Sequence, residues 1–276
     1  MKVAFSTLAC PNWSWDTIIS EAQRLGFDGI ELRGIQGEMY LSKAMPFLPE
    51  HLERTKMQLK EKGLEICSLD TSCTFHDEEK FDKSIEEGKD TIDLATKLGV
   101  PFIRVFGDNI PDISQLDDVI DRVAKGLSIL GNYAKNKNVF VLLETHGDFI
   151  NHSLLTSVFK KVEQNAVGLL WDFGHPYMHG GESPEETYYN LASYIKHTHI
   201  KDARKVEGHV KHCLVGDGEI PLTEIVKLLQ QNGYTGWISL EYEKKWRPEL
   251  EEPEISLPAF MNYMKTLFKQ LGINRI

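Results

Sequence analysis

The sequence lacks the paired cysteines of a disulfide-stabilised protein or of a thiolate zinc site. It has four cysteines, Cys10, Cys67, Cys73 and Cys213, and no CxxC motif. Scattered cysteines of this kind favour a reducing compartment. The N-terminal stretch MKVAFSTLACPNWSW is too short an apolar run, and too polar, for a signal peptide. We therefore expect a cytoplasmic protein without disulfide bonds.

Long apolar runs and an excess of positive charge are also missing. No uninterrupted apolar stretch approaches the ~20 residues that a membrane span requires, so we expect no membrane insertion. The formal net charge is -10, from 31 basic and 41 acidic residues. Nucleic-acid binding depends on clustered lysine and arginine, so this balance argues against a general affinity for nucleic acid. No GxGxxG motif follows the first predicted strand, which counts against a dinucleotide-binding sheet.

The chain does contain a regular alternation of apolar strands and amphipathic helices. In the first unit, Ser14 is a predicted helix N-cap and Gly26 a predicted helix stop. The predicted strands are KVAFSTL, GIELR, LEICSLDTS, PFIRVFGD, VFVLLETHG, VGLLWDFGH, YIKHTHIKD and WISLEYE. The predicted helices are SWDTIISEAQRLG, HLERTKMQLKEKG, residues 81–98, residues 114–135, SLLTSVFKKVEQ, the segment after Pro184, LTEIVKLLQQNG and residues 255–271.

Eight strand–helix units in a row favour a closed barrel of parallel strands over an open sheet. The chain length of 276 residues suits this fold, and no composition shift marks a second domain. We therefore predict an α/β fold, a single-domain (β/α)8 TIM barrel spanning residues 1–276. A long loop, from Ala203 to Pro221, is predicted between the seventh strand and its helix.

Four consecutive strands end in ionisable side chains. These are Glu144 in VFVLLETH, Asp172 in GLLWDFGH, His199 in IKHTHIKD and Glu241 in WISLEYE. The C-terminal ends of barrel strands form the active face, and strand alternation can turn all four side chains inward. Three carboxylates this close would repel one another unless a cation compensated their charge. We therefore predict a single divalent metal ion at these four groups.

The chemistry of these groups limits the choice of metal. Three carboxylates and one imidazole make a hard, mostly oxygen site, which favours Mn²⁺ or Mg²⁺, with Co²⁺ and Zn²⁺ as alternatives. Any one of the four residues alone would more often be a cap or a structural hydrogen-bonding group. The neighbouring charges have simpler interpretations: Asp202 starts the long loop with Lys201 as its counter-charge, and Glu243 belongs to a solvated run.

Several motifs together resemble the xylose isomerase-like TIM barrels. They are WDFGH on strand six, HTHIKDAR on strand seven and the later GDGEIPL, with the strand-end residues Glu144 and Glu241. Within that superfamily the chain is most similar to the sugar isomerases and epimerases, a group that contains ketose 3-epimerases, hydroxypyruvate isomerase and the inosose enzymes. The resemblance covers nearly the whole chain. It implies the same four metal ligands, with Glu144 and Glu241 as the catalytic acid/base pair.

The resemblance also implies substrate contacts. By position these fall on His175 and Arg204, although Arg204 lies one residue closer to His199 than in the epimerase pattern. His146 is absent from many ketose epimerases and present in some isomerase and inosose relatives, and its role is left open between substrate orientation and metal support. Trp13 and Trp246 are predicted to line a sugar pocket. His209 and His212, in the long loop, are either pocket covers or solvated side chains.

The predicted activity is isomerisation or epimerisation of a small keto-sugar, by proton transfer through a metal-stabilised enediolate. A lyase or dehydratase acting on a keto-sugar, keto-glycoside or inosose is the alternative. An AP endonuclease is disfavoured by the net acidity, and a non-catalytic sugar-binding barrel also remains open. GDGEIPL has two glycines near a helix start, which leaves a phosphorylated sugar open as well. Family members are often dimers or tetramers, so a homodimer or homotetramer is expected.

Overall fold

Eight parallel strands form a closed barrel in the computed structural model, which describes residues 1–163 and 166–274. The order round the barrel is β1-β10-β7-β6-β5-β4-β3-β2, so the first and last barrel strands pair with each other. The strands are β1 (Lys2–Ser6), β2 (Gly29–Leu32), β3 (Glu65–Thr74), β4 (Phe102–Phe106), β5 (Phe140–Glu144), β6 (Val167–Asp172), β7 (Ile195–Ile200) and β10 (Trp237–Leu240). The predicted TIM barrel is confirmed.

The helices follow the strands as the amphipathic pattern predicts. They are α1 (Trp15–Leu25), α2 (Leu52–Lys62), α3 (Phe81–Leu98), α4 (Leu116–Ala134), α5 (His152–Lys161), α6 (Pro184–Leu191), α7 (Leu222–Gln231) and α8 (Pro253–Leu271). Both predicted ends of α1 are confirmed: the Ser14 side chain accepts a hydrogen bond from the Thr17 N–H, and Gly26 is left-handed. The predicted fifth helix ran to Gln164, which lies outside the described residues. No described helix has the length and apolarity needed to cross a membrane.

The two faces of the barrel strands pack differently. Outward-facing residues such as Val141 and Leu143 join one large apolar core with the helices. At the N-terminal end of the barrel, a small cluster of Ala4, Cys67 and Trp237 packs against Phe102. Above it the interior is polar, whereas branched aliphatic side chains fill most barrels of this fold. The polar residues there are all 0% or 1% exposed: Glu31, Asp70, Arg104, Glu144, Asp172, His197 and His199.

The predicted loop from Ala203 to Pro221 is not irregular throughout. It contains an antiparallel hairpin of β8 (Asp202–Val206) and β9 (His209–Cys213), outside the barrel. The turn between them has two residues, Glu207 and Gly208, both with positive φ, as tight hairpin turns require. The strands are short and polar and the turn lacks the usual Asn-Gly pair, which explains why the sequence pattern does not predict the hairpin.

Asp202 fixes the base of this hairpin loop. One carboxylate oxygen, Oδ1, accepts hydrogen bonds from the Ala203 and Ile220 backbone N–H groups, and Oδ2 accepts from those of Gly216 and Gly218. A β-carbon at Gly218 would lie 1.9 Å from Asp202 Oδ1. Only glycine can therefore occupy position 218 without displacing the carboxylate.

We expect Gly218→Ala to destabilise the protein by about 1–3 kcal/mol, because the added methyl group overpacks a filled site. The free energy of unfolding in urea measures the effect. Gly180→Ala is the matched control, since its β-carbon would meet its nearest neighbour, Ile150, at an ordinary 3.6 Å. Equal stability of the two variants would mean that the Asp202 loop is not closely packed.

Candidate active site

The fold brings together all four residues predicted to bind metal. Glu144 and Asp172 end β5 and β6, His199 lies in β7, and Glu241 follows β10. Their ligand atoms all lie within 4.8 Å of one another. His199 Nδ1 is 3.4 Å from Glu144 Oε1, 3.5 Å from Glu241 Oε1 and 3.9 Å from Asp172 Oδ2. Neighbouring strands supply these groups, because β5, β6, β7 and β10 are consecutive round the barrel.

The atoms that face this centre fit a divalent cation. Oε1 of Glu144 and Nδ1 of His199 are buried and have no hydrogen-bond partner, and Oε2 of Glu144 and Oδ2 of Asp172 have ion-pair contacts only, with Arg104 and Lys201. Buried polar atoms are almost always hydrogen-bonded, so several such atoms without a hydrogen bond at one point need an explanation. A hard cation that accepts oxygen and imidazole ligands would satisfy all of them.

Lys201 supplies part of the positive charge at this centre. Its Nζ lies 2.9 Å from Asp172 Oδ2, 2.5 Å from Glu241 Oε2 and 2.8 Å from Glu243 Oε1. Two sequence-based interpretations are therefore wrong. Lys201 does not pair with Asp202, whose carboxylate binds backbone N–H groups, and Glu243 is not solvated, because it contacts both Lys201 and Arg247.

The pKa values of two central residues are shifted by the crowding of charge. Burial acts to lower the pKa of His199, but Glu31, Glu241 and Glu144 raise it well above the usual range. Burial raises the pKa of Asp172; Lys201 opposes this rise, and the neighbouring carboxylates Glu241 and Glu144 add to it. Both shifts favour protonation, and a bound divalent cation would replace those protons.

Glu31 lies beneath the centre and holds two histidines. Its Oε2 atom is 2.6 Å from His197 Nε2, and its Oε1 atom is 2.8 Å from His199 Nε2. A carboxylate beside Nε2 favours the proton on that nitrogen and leaves Nδ1 free to face a cation. The sequence interpretation does not single out Glu31, although GIELR follows the same strand alternation as the predicted ligand strands.

Arg104 is the second buried residue that contacts the four-residue centre, through Glu144. Its Nε atom lies 3.0 Å from Glu144 Oε2, its Nη2 atom lies 3.4 Å from Asp70 Oδ2, and its Nη1 atom donates to the Thr71 carbonyl. These contacts tie β3, β4 and β5 together inside the barrel. Neither Arg104 nor Asp70 is predicted from sequence, since each lies within a strand of otherwise ordinary pattern.

A cavity of about 250 Å³ opens beside the four-residue centre. Three of the predicted site residues line it, namely Glu241, His146 and Trp246. The other lining residues are Leu8, Arg33, Arg104, Phe106 and Glu243. His175 lies close by, because its ring centroid is 4.9 Å from that of His146 and its Nε2 atom is 3.4 Å from Lys201 Nζ.

His146 is held by Asp108. The distance from His146 Nδ1 to Asp108 Oδ1 is 3.3 Å. Burial acts to lower the pKa of His146, yet the Asp108 carboxylate and the more distant carboxylates Glu144 and Glu241 raise it above its usual value. The lining of the cavity therefore includes a histidine that can carry a proton separately from the carboxylates of the centre.

Other predicted site residues lie elsewhere. Trp13 Nε1 donates to Glu254 Oε1 on α8, at 3.3 Å, and Arg204 is exposed on β8. Neither is among the described residues that line the cavity. On β9, His209 is exposed and His212 is half-buried, with its pKa lowered to about 4 by burial.

Comparison with known proteins identifies the family. The model of the xylose isomerase-like TIM barrels matches residues 19–262. The chain belongs to this family. The predicted resemblance is thus confirmed, and with it the assignment of the chain to a family of enzymes.

Relatives of this xylose isomerase-like barrel include an inosose dehydratase from Klebsiella pneumoniae subsp. pneumoniae. It is 29% identical over 274 residues, which cover 87% of this chain and 85% of the relative. An inosose dehydratase from Clostridium botulinum is 25% identical and covers 89% of this chain and 85% of the relative. The chain therefore spans most of the length of these proteins.

Solved structures show the same barrel. A D-tagatose 3-epimerase-like protein superposes with a TM-score of 0.79 at 20% identity, covering 99% of this chain and 98% of the other. A probable 3-DHS dehydratase from Bacillus anthracis gives 0.77 at 22%, covering 96% and 99%. The IOLI protein, solved with a bound zinc atom, gives 0.78 at 18%, covering 98% of each chain. At these identities the likeness shows the fold alone.

Proposed function

We propose that this protein is a metal-dependent lyase that removes water from a small polyhydroxylated ketone, with residues 1–276 acting as one catalytic domain. The observation that carries this proposal is the cavity in which a carboxylate of the four-residue centre, Glu241, and a separate histidine, His146, lie together. Relatives named inosose dehydratases support the same reaction class. The alternative drawn from the sequence is therefore preferred to the isomerase.

The proposed metal ligands are Glu144, Asp172, His199 and Glu241, whose buried oxygen and nitrogen atoms fit a hard cation. When bound, the cation would act as a Lewis acid that polarises the substrate oxygens and acidifies the adjacent C–H bond. We propose Mn²⁺ as the natural metal, with Mg²⁺, Co²⁺ and Zn²⁺ as competitors for these ligands.

Glu241 and His146 are the proposed base and acid of the elimination. Glu241 lines the cavity and takes the proton from the carbon next to the ketone, and the C–H electron pair forms the new carbon–carbon double bond. The hydroxyl on the next carbon leaves as water with a proton from His146, which Asp108 holds by its Nδ1 atom. Glu144 is fully buried beside Arg104, so its part is to bind metal and to fix that side of the centre.

An isomerase or epimerase is the second candidate. The carboxylates of Glu144 and Glu241 both approach within 3.5 Å of His199 Nδ1, so they flank the same point. If one carboxylate removed a proton and the other returned it, the product would be an isomer or epimer. This is the acid/base pair that the resemblance to ketose 3-epimerases implies.

The proposed substrate is a sugar-type small molecule. His146, His175 and Trp246 are proposed to contact it, since each lines the cavity or touches a lining residue. Substrate contacts by Trp13 and Arg204 stay predictions. A homodimer or homotetramer is also proposed, and light scattering after gel filtration would measure the assembly.

We expect the purified, metal-loaded protein to convert an inosose, or a related cyclic hydroxy-ketone, to a product that has lost one water. EDTA should abolish the reaction and Mn²⁺ should restore it, because the proton transfer depends on the polarised ketone. NMR and mass spectrometry of reactions in deuterated water measure the outcome. Solvent deuterium in a product of unchanged composition would favour the isomerase instead, and activity that survives exhaustive chelation would contradict both candidates.

A further inference from the structure

Arg33 is a buried cation without a carboxylate partner. It directly follows β2 and is 9% exposed. Its Nη2 atom donates to Ser72 Oγ at 2.9 Å, whereas its Nη1 atom is buried and has no hydrogen-bond partner. No ion pair within 4.0 Å joins it to an aspartate or glutamate of the described chain, and the carboxylates that act on it, Asp70 and Glu87, do so from a longer distance. Guanidinium groups in protein interiors are normally paired, because desolvating an uncompensated charge is costly.

The other buried cations near the centre are paired. Arg104 contacts Glu144 and Asp70, and Lys201 contacts three carboxylates. Arg33 thus differs from both in having unused N–H groups. Burial lowers the pKa of Arg33 to about 10, and the charge of Arg104 acts in the same direction, while the more distant carboxylates Asp70 and Glu87 oppose the shift. The side chain is still a cation at neutral pH.

Arg33 is also placed to meet a substrate. It lines the 250 Å³ cavity that contains Glu241, His146 and Trp246. It also lines a small second recess, together with Leu8 and Lys245. A molecule in the cavity would therefore meet both the proposed base, Glu241, and Arg33, whose Nη1 atom has no hydrogen-bond partner.

We propose that Arg33 binds a carboxylate group of the substrate, so that the natural substrate is an anionic polyhydroxy-ketone. The inference deepens the proposed function and rests on it for the reaction, while the anion site rests on the contacts of Arg33. A flat carboxylate matches a guanidinium edge, and it is smaller than a tetrahedral phosphate. We assign the smaller anion because the cavity, at about 250 Å³, is small, and phosphate serves as the comparison in the test.

Equilibrium binding tests the anion site without turnover. The probes are quinate, which is a polyhydroxylated cyclohexane carboxylate without a ketone, its uncharged methyl ester and inorganic phosphate. Isothermal calorimetry on the Mn²⁺-loaded protein should give tighter binding of quinate than of the ester. Arg33→Met should weaken quinate binding by about 10- to 100-fold, the range for a lost hydrogen bond to a charged group, and leave the ester unchanged. Arg33→Lys should retain part of the preference, and Arg24→Met, on the exposed face of α1, should match the wild type.

The outcomes are separable. Equal affinity of the wild type for quinate and its ester would overturn the proposal, and this comparison remains decisive even if Arg33→Met fails to fold. Phosphate binding more tightly than quinate would overturn the carboxylate assignment in favour of a phosphorylated substrate. A carboxylate preference in a protein that eliminates water from no ketone would retain the anion site and refute the lyase. Full activity of Arg33→Met on carboxylated ketones would refute the anion site and retain the lyase.

Discussion

Glu241→Gln is expected to lower kcat by about 10²- to 10⁴-fold, the range for loss of a group that transfers a proton in the rate-determining step. The amide keeps the size of the side chain but cannot accept the substrate proton. Because Glu241 lines the cavity while Glu144 is fully buried, the two matched glutamine variants should differ. Glu144→Gln should mainly weaken metal binding, by at least about 10-fold.

Steady-state kinetics and metal analysis of dialysed protein measure this pair of effects. Glu252→Gln is the control, because Glu252 is exposed and contacts only Lys244 among the ion pairs of the described chain. If Glu241→Gln kept normal kcat with metal bound, then Glu241 would not be the base. If Glu144→Gln bound metal normally but lost kcat, the paired-carboxylate mechanism of an epimerase would be favoured.

Lys201→Met is expected to destabilise the metal-free protein by about 3–5 kcal/mol, the usual cost of removing one partner from a buried ion pair. Asp172, Glu241 and Glu243 would then be close together and would lack the ammonium group that now contacts all three. Added Mn²⁺ should recover part of the loss, since a cation that binds only the folded state stabilises it by about 2.7 kcal/mol at one hundred times its dissociation constant.

Unfolding in urea, with EDTA or with saturating Mn²⁺, measures both parts of this expectation. Lys56→Met is the control: Lys56 forms an exposed pair with Glu53 on α2, and such pairs contribute about 0–1 kcal/mol. A Lys201→Met protein that was as stable as the wild type in EDTA would show that the carboxylates are compensated by other means, such as protonation.

The sequence predicts those parts of the site that follow from local pattern. The alternation of side chains on β5 and β7 and their position at strand ends are enough to bring Glu144 and His199 to the same centre. The ion-pair partners of a buried charge, in contrast, cannot be predicted from local pattern. Glu31 meets His197 across 166 residues of sequence, and no local feature of β2 encodes that contact. The partners of Lys201 are hidden for the same reason, since adjacency along the chain suggests Asp202.

The sequence also does not show which aromatic and loop residues reach the cavity. Trp13 and Trp246 both follow strands in polar loops, and only the folded chain distinguishes them: one indole bonds α8, and the other lines the cavity. Arg204 fits a family motif by spacing alone, and in the folded chain it is exposed on β8. Spacing along the chain therefore does not determine which of these side chains lines the cavity.

Asp202 ties the ends of the loop that contains the β8–β9 hairpin, and this affects how far the hairpin can change in length and sequence. All four groups bound by its carboxylate are backbone N–H groups, and the two that need glycine, at Gly216 and Gly218, lie outside the hairpin strands. Lengthening a loop whose ends are already tied costs only about 0.6 kcal/mol per doubling of its length. We therefore expect the hairpin of β8 and β9 to tolerate replacement by a hairpin of another length and sequence. His199 would keep its position, because it lies in β7.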